Sequence, residues 1–364
     1  MKRHPFHALC PYFAMFPETF VEHWVRRLTK PGDTVLDPFC GRGTTPFQSL
    51  LMGRHAVGND VNPVAYCISK AKTNAPSLPV LRGRLTCLAN RFDAAHWSEL
   101  ASEMPEFFQR AYAPRTLAQL CYLREELRWR ESSVDAMVGG LVLGRLHGEM
   151  DRSKRYLSNQ MPRTISTKPD YSVRWWNERG LQPPERDTFS LLRGEAVYRY
   201  AAGVPAGNAT VLLGDMRGLP AALAKREPVK LVVTSPPYLD VTSFEEDQWL
   251  RLWFLGGPAQ PHRGRISRDD RHEHRGAYWL MIADLWRALG PLVADKGHVV
   301  VRIGGKGLTA TQLVDGLEGT SGLSQRKVRL RTTTVSPIKG RQTRTFARTA
   351  SACADEVDCH FVLT

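Results

Sequence analysis

Four consecutive residues, Ser235-Pro236-Pro237-Tyr238, follow Thr234 and the apolar run Val229-Lys230-Leu231-Val232-Val233. The run reads as a buried strand and the tetrapeptide as the rigid turn that ends it. Two prolines hold φ at about −65° and donate no N–H, so the carbonyls of Ser235 and Pro236 stand as fixed acceptors without competing donors. Tyr238 adds a flat ring. Acceptors aimed at a planar amine, beside a ring that stacks on a heterocycle, suit methylation of an exocyclic amino group. The amine's lone pair is delocalised into the heterocycle, and hydrogen bonds accepted from the NH2 favour the pyramidal form that attacks. Pro-Pro also ends strands in ordinary loops, so the tetrapeptide needs a second station before it means chemistry.

That station lies near the other end of the chain. Residues 33–36 form a short β-type run leading into Asp37-Pro38-Phe39-Cys40-Gly41-Arg42-Gly43-Thr44-Thr45. The pattern predicts a strand, a turn and a helix starting near Thr44, with Thr44 or Thr45 capping it and Gly53 closing it. Gly41 and Gly43 permit positive φ and close backbone approach. A second strand, Ala56-Val57-Gly58, ends at Asp60, about twenty residues beyond the glycines, where a strand-tip carboxylate in a dinucleotide-type fold meets ribose hydroxyls. Further along, Thr210-Val211-Leu212-Leu213 ends in Gly214-Asp215, an acid placed either to contact an adenine or to cap a helix. Residues 298–303, 328–335 and 359–363 read as further strands, and 278–289 as a helix with apolar positions at Leu280, Ile282, Ala283, Leu285, Trp286 and Leu289. Alternating strands and helices predict a doubly wound, mostly parallel Rossmann-like α/β sheet.

Together these residues resemble the amino-group DNA methyltransferases that use S-adenosylmethionine. Asp37 to Thr45 is similar to the family's cofactor loop, Asp-Pro-Phe-x-Gly-x-Gly-Thr-Thr. The resemblance therefore implies cofactor contacts at Asp37, Phe39, Gly41, Gly43, Thr44, Asp60 and Asp215. It implies a catalytic loop at Ser235, Pro236, Pro237 and Tyr238. Serine rather than aspartate in the first place of that loop is the version most often seen in enzymes that methylate N4 of cytosine, and the same loop serves N6 of adenine. Residues 13–20, followed by Val21, Trp24 and Val25, resemble the helix that the family sets beside the methionine end of the cofactor; their spacing equally suits an amphipathic core helix. The resemblance covers roughly residues 10–75 and 208–305.

Residues 77–207 depart from a minimal version of such a fold, which needs only a helix and a loop there. The expected division is a catalytic domain of 1–76 with 208–364, interrupted by a largely helical insert at 77–207. Helical stretches are expected at 98–112, 115–130 and 133–146, with a less regular part at 161–184. Within that part, Lys168 to Trp176 interleaves basic and aromatic residues, as a nucleic-acid contact would, or as a tryptophan-anchored loop would. By the resemblance, an insert between the cofactor and catalytic loops is the target-recognition region.

Composition agrees. The 364 residues carry a formal net charge of +14 with 42% hydrophobic residues, enough for a large core and indicative of a polyanionic partner, here double-stranded DNA, with RNA as the alternative. Eight bases and no acid occupy the stretch Arg326, Lys327, Arg329, Arg331, Lys339, Arg341, Arg344 and Arg348, a candidate phosphate-binding surface. No metal is expected: His262, His272 and His274 lack companions at ligand spacing. The seven cysteines form no CxxC pair and none follows a proline, which sets aside a zinc ribbon and the cysteine-nucleophile route to carbon-5 methylation. An odd cysteine count, and no apolar run of about 18 residues, predict a cytoplasmic, intracellular protein without membrane attachment, and the resemblance to DNA methyltransferases implies nucleoid association.

Overall fold

A computed structural model describes residues 3–12, 16–149, 155–162, 169–239, 244–261, 274–337 and 355–364. The loop holding His262 and His272, the N-terminal part of the 13–20 segment, Lys168, and Lys339, Arg341, Arg344 and Arg348 lie outside the described residues. The chain forms two compact units, one of Tyr12–Ser69, Pro205–Thr242 and Ser267–Thr364, the other of Met1–Pro11, Lys70–Val204 and Ser243–Ile266.

The first unit is built on a seven-stranded sheet: β1 (Thr34–Asp37), β2 (His55–Asp60), β3 (Thr210–Leu213), β4 (Val229–Thr234), β5 (Val293–Ile303), β6 (Val328–Pro337) and β7 (Asp355–Leu363). Their order is β3-β2-β1-β4-β5-β7-β6. The first five run parallel, and β7 lies antiparallel between β5 and β6. This is the expected doubly wound α/β sheet. Central strands buried on both faces read as continuous apolar runs, which is why Val-Leu-Val segments marked β4 and β5 so clearly.

Register decides what each face carries. Val300 pairs with His360 and Arg302 with Asp358, so His298, Val300 and Arg302 share one face with Glu356, Asp358 and His360. On that face Val300 joins Val35, Leu231 and Val233 beneath Val21 and Val25 of the helix Glu18–Leu28. On the opposite face Val299, Val301, Ile303, Cys359 and Phe361 meet Tyr278, Ile282, Leu285 and Trp286 of the helix Arg275–Leu289. Trp286 stands edge-on to Phe361 with ring centroids 5.1 Å apart; each such buried apolar side chain contributes roughly 1.5–3 kcal/mol. Leu280, expected on the buried stripe of that helix, is 63% exposed instead. It lies one position before the Met281–Ile282 pair and so points away from the sheet.

The second unit is helical among its described residues. Its helices are Leu78–Arg91, Ala94–Ser102, Glu106–Ala111, Pro114–Glu126, Ser133–Arg145, Pro169–Asn177, Thr188–Arg199 and Phe244–Phe254. The stretch expected as one helix over 98–112 is broken at Met104-Pro105, because proline opens a new helix and cannot continue the old one. The part expected to be irregular contains a regular helix at Pro169–Asn177. Its Trp176 is buried, donates from Nε1 to the Gln160 carbonyl at 3.0 Å, and lies 5.7 Å from the Phe107 ring. Trp176 is thus a packing anchor, but on a helix rather than a loop and within the helical unit rather than on the main domain. The helix Phe244–Phe254 follows the Ser235–Tyr238 turn in sequence but packs in this unit, with Trp253 4.4 Å from Phe108 and Arg124 donating to the Trp253 carbonyl at 2.9 Å. No helix among the described residues is long and apolar enough to cross a membrane.

Candidate active site

At the C-terminal edge of the sheet, β1 ends at Asp37 and β2 at Asp60, while Asp215 follows the end of β3. These strands are neighbours, so three carboxylates stand in a row where a doubly wound sheet receives its ligand. The turn after β1 is pinned to the second acid: the Gly41 N–H donates to Asp60 Oδ2 at 2.8 Å, and the Asn62 N–H to Oδ1 at 2.9 Å. Two backbone amides therefore fix the plane of the Asp60 carboxylate.

Gly43 has φ +71° and is itself the N-cap of the helix Thr44–Leu51, without a side-chain cap. A Cβ there would fall 2.5 Å from Ser69 Oγ, so glycine is required by space as well as by backbone conformation. The expected threonine cap is replaced by other bonds. Thr44 Oγ1 accepts from Arg42 Nε at 3.4 Å, and the Thr45 hydroxyl donates to the Val233 carbonyl of β4 at 3.1 Å. The Phe39 side chain packs on the core below the edge, leaving its backbone to form the turn.

Asp37 is 1% exposed. Its Oδ1 accepts from the Thr234 hydroxyl at 2.7 Å and from the Phe39 N–H at 3.1 Å. Burial raises its carboxyl to about 7, opposed by the hydrogen bonds from Thr234, Thr45 and Phe39 and reinforced by the charge of Asp60. Asp215 accepts from the Arg217 backbone and forms a two-pronged pair with the Arg217 guanidinium at 2.9 and 2.6 Å, capping a short turn of 3-10 helix.

Immediately beyond Thr234, Ser235 and Pro237 are partly exposed while Pro236 and Tyr238 are buried. The Tyr238 hydroxyl donates to Glu356 Oε1 at 2.8 Å. Burial and the Glu356 carboxylate hold the phenol well above its ordinary value, so it remains a donor. The turn is also tied forward, with Lys306 N–H donating to the Leu239 carbonyl at 3.0 Å.

Several contributors were not evident from sequence. Asn59 donates from Nδ2 to the carbonyls of Pro38 and Gly214 at 3.1 and 3.0 Å, joining the turns after β1 and β3. Tyr12 lies over Gly41, and its hydroxyl meets Asn62 Nδ2 at 3.4 Å. A polar residue in a buried strand, as Asn59 is, was the one available signal. The basic stretch divides: Arg326 donates to the carbonyls of Gly290 and Val293 at 3.2 and 3.1 Å, whereas Lys327, Arg329 and Arg331 are exposed at the edge strand β6. Arg331 acts electrostatically, with Arg27, on His360 and, with Lys230, on His298, so the sheet face there is basic.

A family model described as DNA methylase matches residues 2–71, which contain the whole turn and both acids Asp37 and Asp60. The Type II methyltransferase M.MjaII of Methanocaldococcus jannaschii is 32% identical over 85 residues. Over these residues the chain is similar to the amino-group DNA methylases. The match to that relative spans 23% of this chain and 16% of the relative's own length. Among solved structures, TrmN from Thermus thermophilus aligns with all of the present chain and 53% of its own, at 10% identity and a TM-score of 0.39. The rRNA methyltransferase aviRa from Streptomyces viridochromogenes aligns with all of it and 93% of its own, at 12% identity and a TM-score of 0.35.

Proposed function

We propose that this chain is an amino-group DNA methylase that transfers a methyl group from S-adenosylmethionine to the exocyclic N4 amino group of cytosine in double-stranded DNA. The observation that carries the reading is the 2.7 Å bond between Thr234 and Asp37, which joins the turn after β1 to the Ser235–Tyr238 turn on adjacent strands. A methyl donor and an amine held by those two turns are thereby kept at one edge.

The residues present fit the cofactor. Its sulfonium and the ammonium of its zwitterionic amino-acid end are cationic, and in a chain of net charge +14 the carboxyl groups of Asp37 and Asp60 at this edge suit them. Asp60 would hold the ribose hydroxyls, Asp215 the adenine, and the Gly41–Gly43 turn would let the backbone approach closely. The chemistry supplied by bound S-adenosylmethionine is an electrophilic methyl carbon on sulfur.

The chain's own residues then do the rest. A base reaches this depth only out of the helix, so flipping is part of the reading. Tyr238 stacks on the flipped base, which uncovers a ring face on entry, while the Ser235 hydroxyl and Pro236 carbonyl accept hydrogen bonds from the amine. Alignment and fixed dipoles supply most of the acceleration. The methylated amine is far more acidic than its parent and loses its proton after transfer. Residues 77–207 choose the target sequence, and the exposed Lys327, Arg329 and Arg331 neutralise phosphates.

The test is transfer of label from methyl-labelled cofactor to duplex DNA and, separately, to RNA, followed by hydrolysis to nucleosides. Label in N4-methylcytosine supports the reading; label in N6-methyladenine or only in RNA replaces the substrate. Tyr238→Ala is expected to abolish transfer while sparing cofactor binding, and Asp60→Ala to weaken cofactor binding first.

A further inference from the structure

Tyr238 is 9% exposed, and its hydroxyl reaches Glu356, a residue 118 positions later on β7. That carboxylate does not stand alone. Arg302 Nη1 lies 3.6 Å from Glu356 Oε2, and the same guanidinium grips Asp358 from Nε and Nη2 at 2.6 and 2.8 Å. The arrangement follows from register, because Arg302 pairs directly with Asp358 and Glu356 lies two residues away on the same face. Phe20, from the helix Glu18–Leu28, covers the guanidinium with its ring centroid 4.0 Å from Cζ and packs on Phe16 at 5.2 Å. None of Glu356, Arg302 and Asp358 has a part in methyl transfer as described above.

We infer that Glu356, held by Arg302 and Asp358, is a positioning residue for Tyr238, fixing the plane of the ring on which the target base stacks; the inference rests on the proposed transfer reaction. Backbone and hydroxyl are pinned separately. Pro236 and Pro237 restrict the chain before the tyrosine, and a charge-assisted hydrogen bond to a carboxylate fixes the far end of the ring. Burial and the Glu356 carboxylate keep the phenol protonated against the opposing pull of Ser235 and Arg302, so the donor persists through the neutral range. A ring released at its hydroxyl samples other rotamers, and a misplaced stacking surface slows the chemical step without loosening the cofactor.

A double-variant cycle tests this. Single-turnover transfer rates, cofactor Kd and urea midpoints are measured for Tyr238→Phe, Glu356→Ala, Glu356→Gln and the pair Tyr238→Phe with Glu356→Ala. Tyr238→Phe and Glu356→Ala should each slow transfer by about 10- to 100-fold with Kd within about twofold of wild type. The pair should be no slower than the slower single variant, since both remove one bond. Glu356→Gln keeps an oxygen acceptor, preserves the fold and should recover most of the rate. Losses that multiply in the pair, an unchanged rate in Glu356→Ala, or a Glu356→Gln as slow as Glu356→Ala overturn the inference. So does a Kd that weakens in step with the rate. Absence of transfer by the wild-type chain to either DNA or RNA instead removes the proposed reaction, and the inference with it.

Discussion

The Thr234 hydroxyl donates to Asp37 Oδ1 at 2.7 Å inside the sheet edge, across 197 residues of sequence. Thr234 is fully buried, and the neighbouring bond from Thr45 to the Val233 carbonyl runs in parallel with it. Two hydroxyls thus tie the start of one turn to the end of the strand that carries the other. Replacing Thr234 by valine keeps the shape and removes the donor. It should destabilise the fold by about 1–3 kcal/mol, the cost of removing one of the hydrogen bonds to a buried carboxyl group, whereas Thr234→Ser should stay close to wild type. Urea midpoints at constant m check this, and an unchanged midpoint in the valine variant contradicts it.

Asp37 gives the stability a pH dependence of defined sign. Its carboxyl titrates at about 7 when folded and at 3.8 when free, chiefly through burial. Between those values the folded chain holds a proton that the unfolded chain has released. This contribution is therefore complete below pH 3.8, falls as pH rises toward 7, and is constant beyond; its ceiling is on the order of 4 kcal/mol. Asp37→Asn should lack that component in urea titrations across the range. A cation bound beside Asp37 favours the carboxylate, so cofactor binding should release a proton below neutrality, seen as buffer-dependent calorimetric heat that vanishes in Asp37→Asn.

The opposite slope is expected from the imidazole pair. His298 Nδ1 and His360 Nε2 are 3.0 Å apart, and Trp24 lies 5.1 Å from the His360 ring. Burial, then His298, Arg27 and Arg331, lower His360 to about 4. The folded state resists protonation, so stability should be lost as pH falls from about 6.5 toward 4. His360→Gln should flatten that acid limb in thermal melts; an identical limb in the variant would show that the pair does not titrate there.

Binding to a polyanion separates the bases by environment. Arg329 and Arg331 are exposed on β6. Replacing either with alanine should weaken DNA binding and reduce the slope of log K against log salt by about one, leaving stability near wild type. Arg326→Ala should instead lower stability, because it leaves the carbonyls of Gly290 and Val293 without their donor. A salt slope unchanged by Arg329→Ala and Arg331→Ala would move the phosphate surface elsewhere.

Much of this fold was legible because its sheet is parallel and buried. Central strands such as Val229–Thr234 appear as bare apolar runs, and Gly41 and Gly43 mark the turn because both hold positive φ and a Cβ at Gly43 would strike Ser69. What was hidden depends on pairing between distant segments. Thr45 reads as a helix cap until β4 offers its Val233 carbonyl, and Glu356, outside the expected 359–363 strand, carries no signal until strand pairing brings it to Tyr238. The helix Phe244–Phe254 follows the Ser235–Tyr238 turn by sequence, yet its tryptophans complete an aromatic cluster with Phe107 and Phe108. No local spacing announces that choice, since Trp249 and Trp253 would suit any apolar surface.

The central claim is that the two joined turns methylate an amino group of a DNA base. Nucleoside mass spectrometry of DNA and RNA from cells expressing the wild-type chain or Ser235→Ala, with single-molecule sequencing to locate the mark, tests it most directly. The account predicts N4-methylcytosine in DNA at a short recurrent sequence, present with the wild type and absent with the variant. No new methylated nucleoside in either polymer, or a mark that survives in Ser235→Ala, would contradict it.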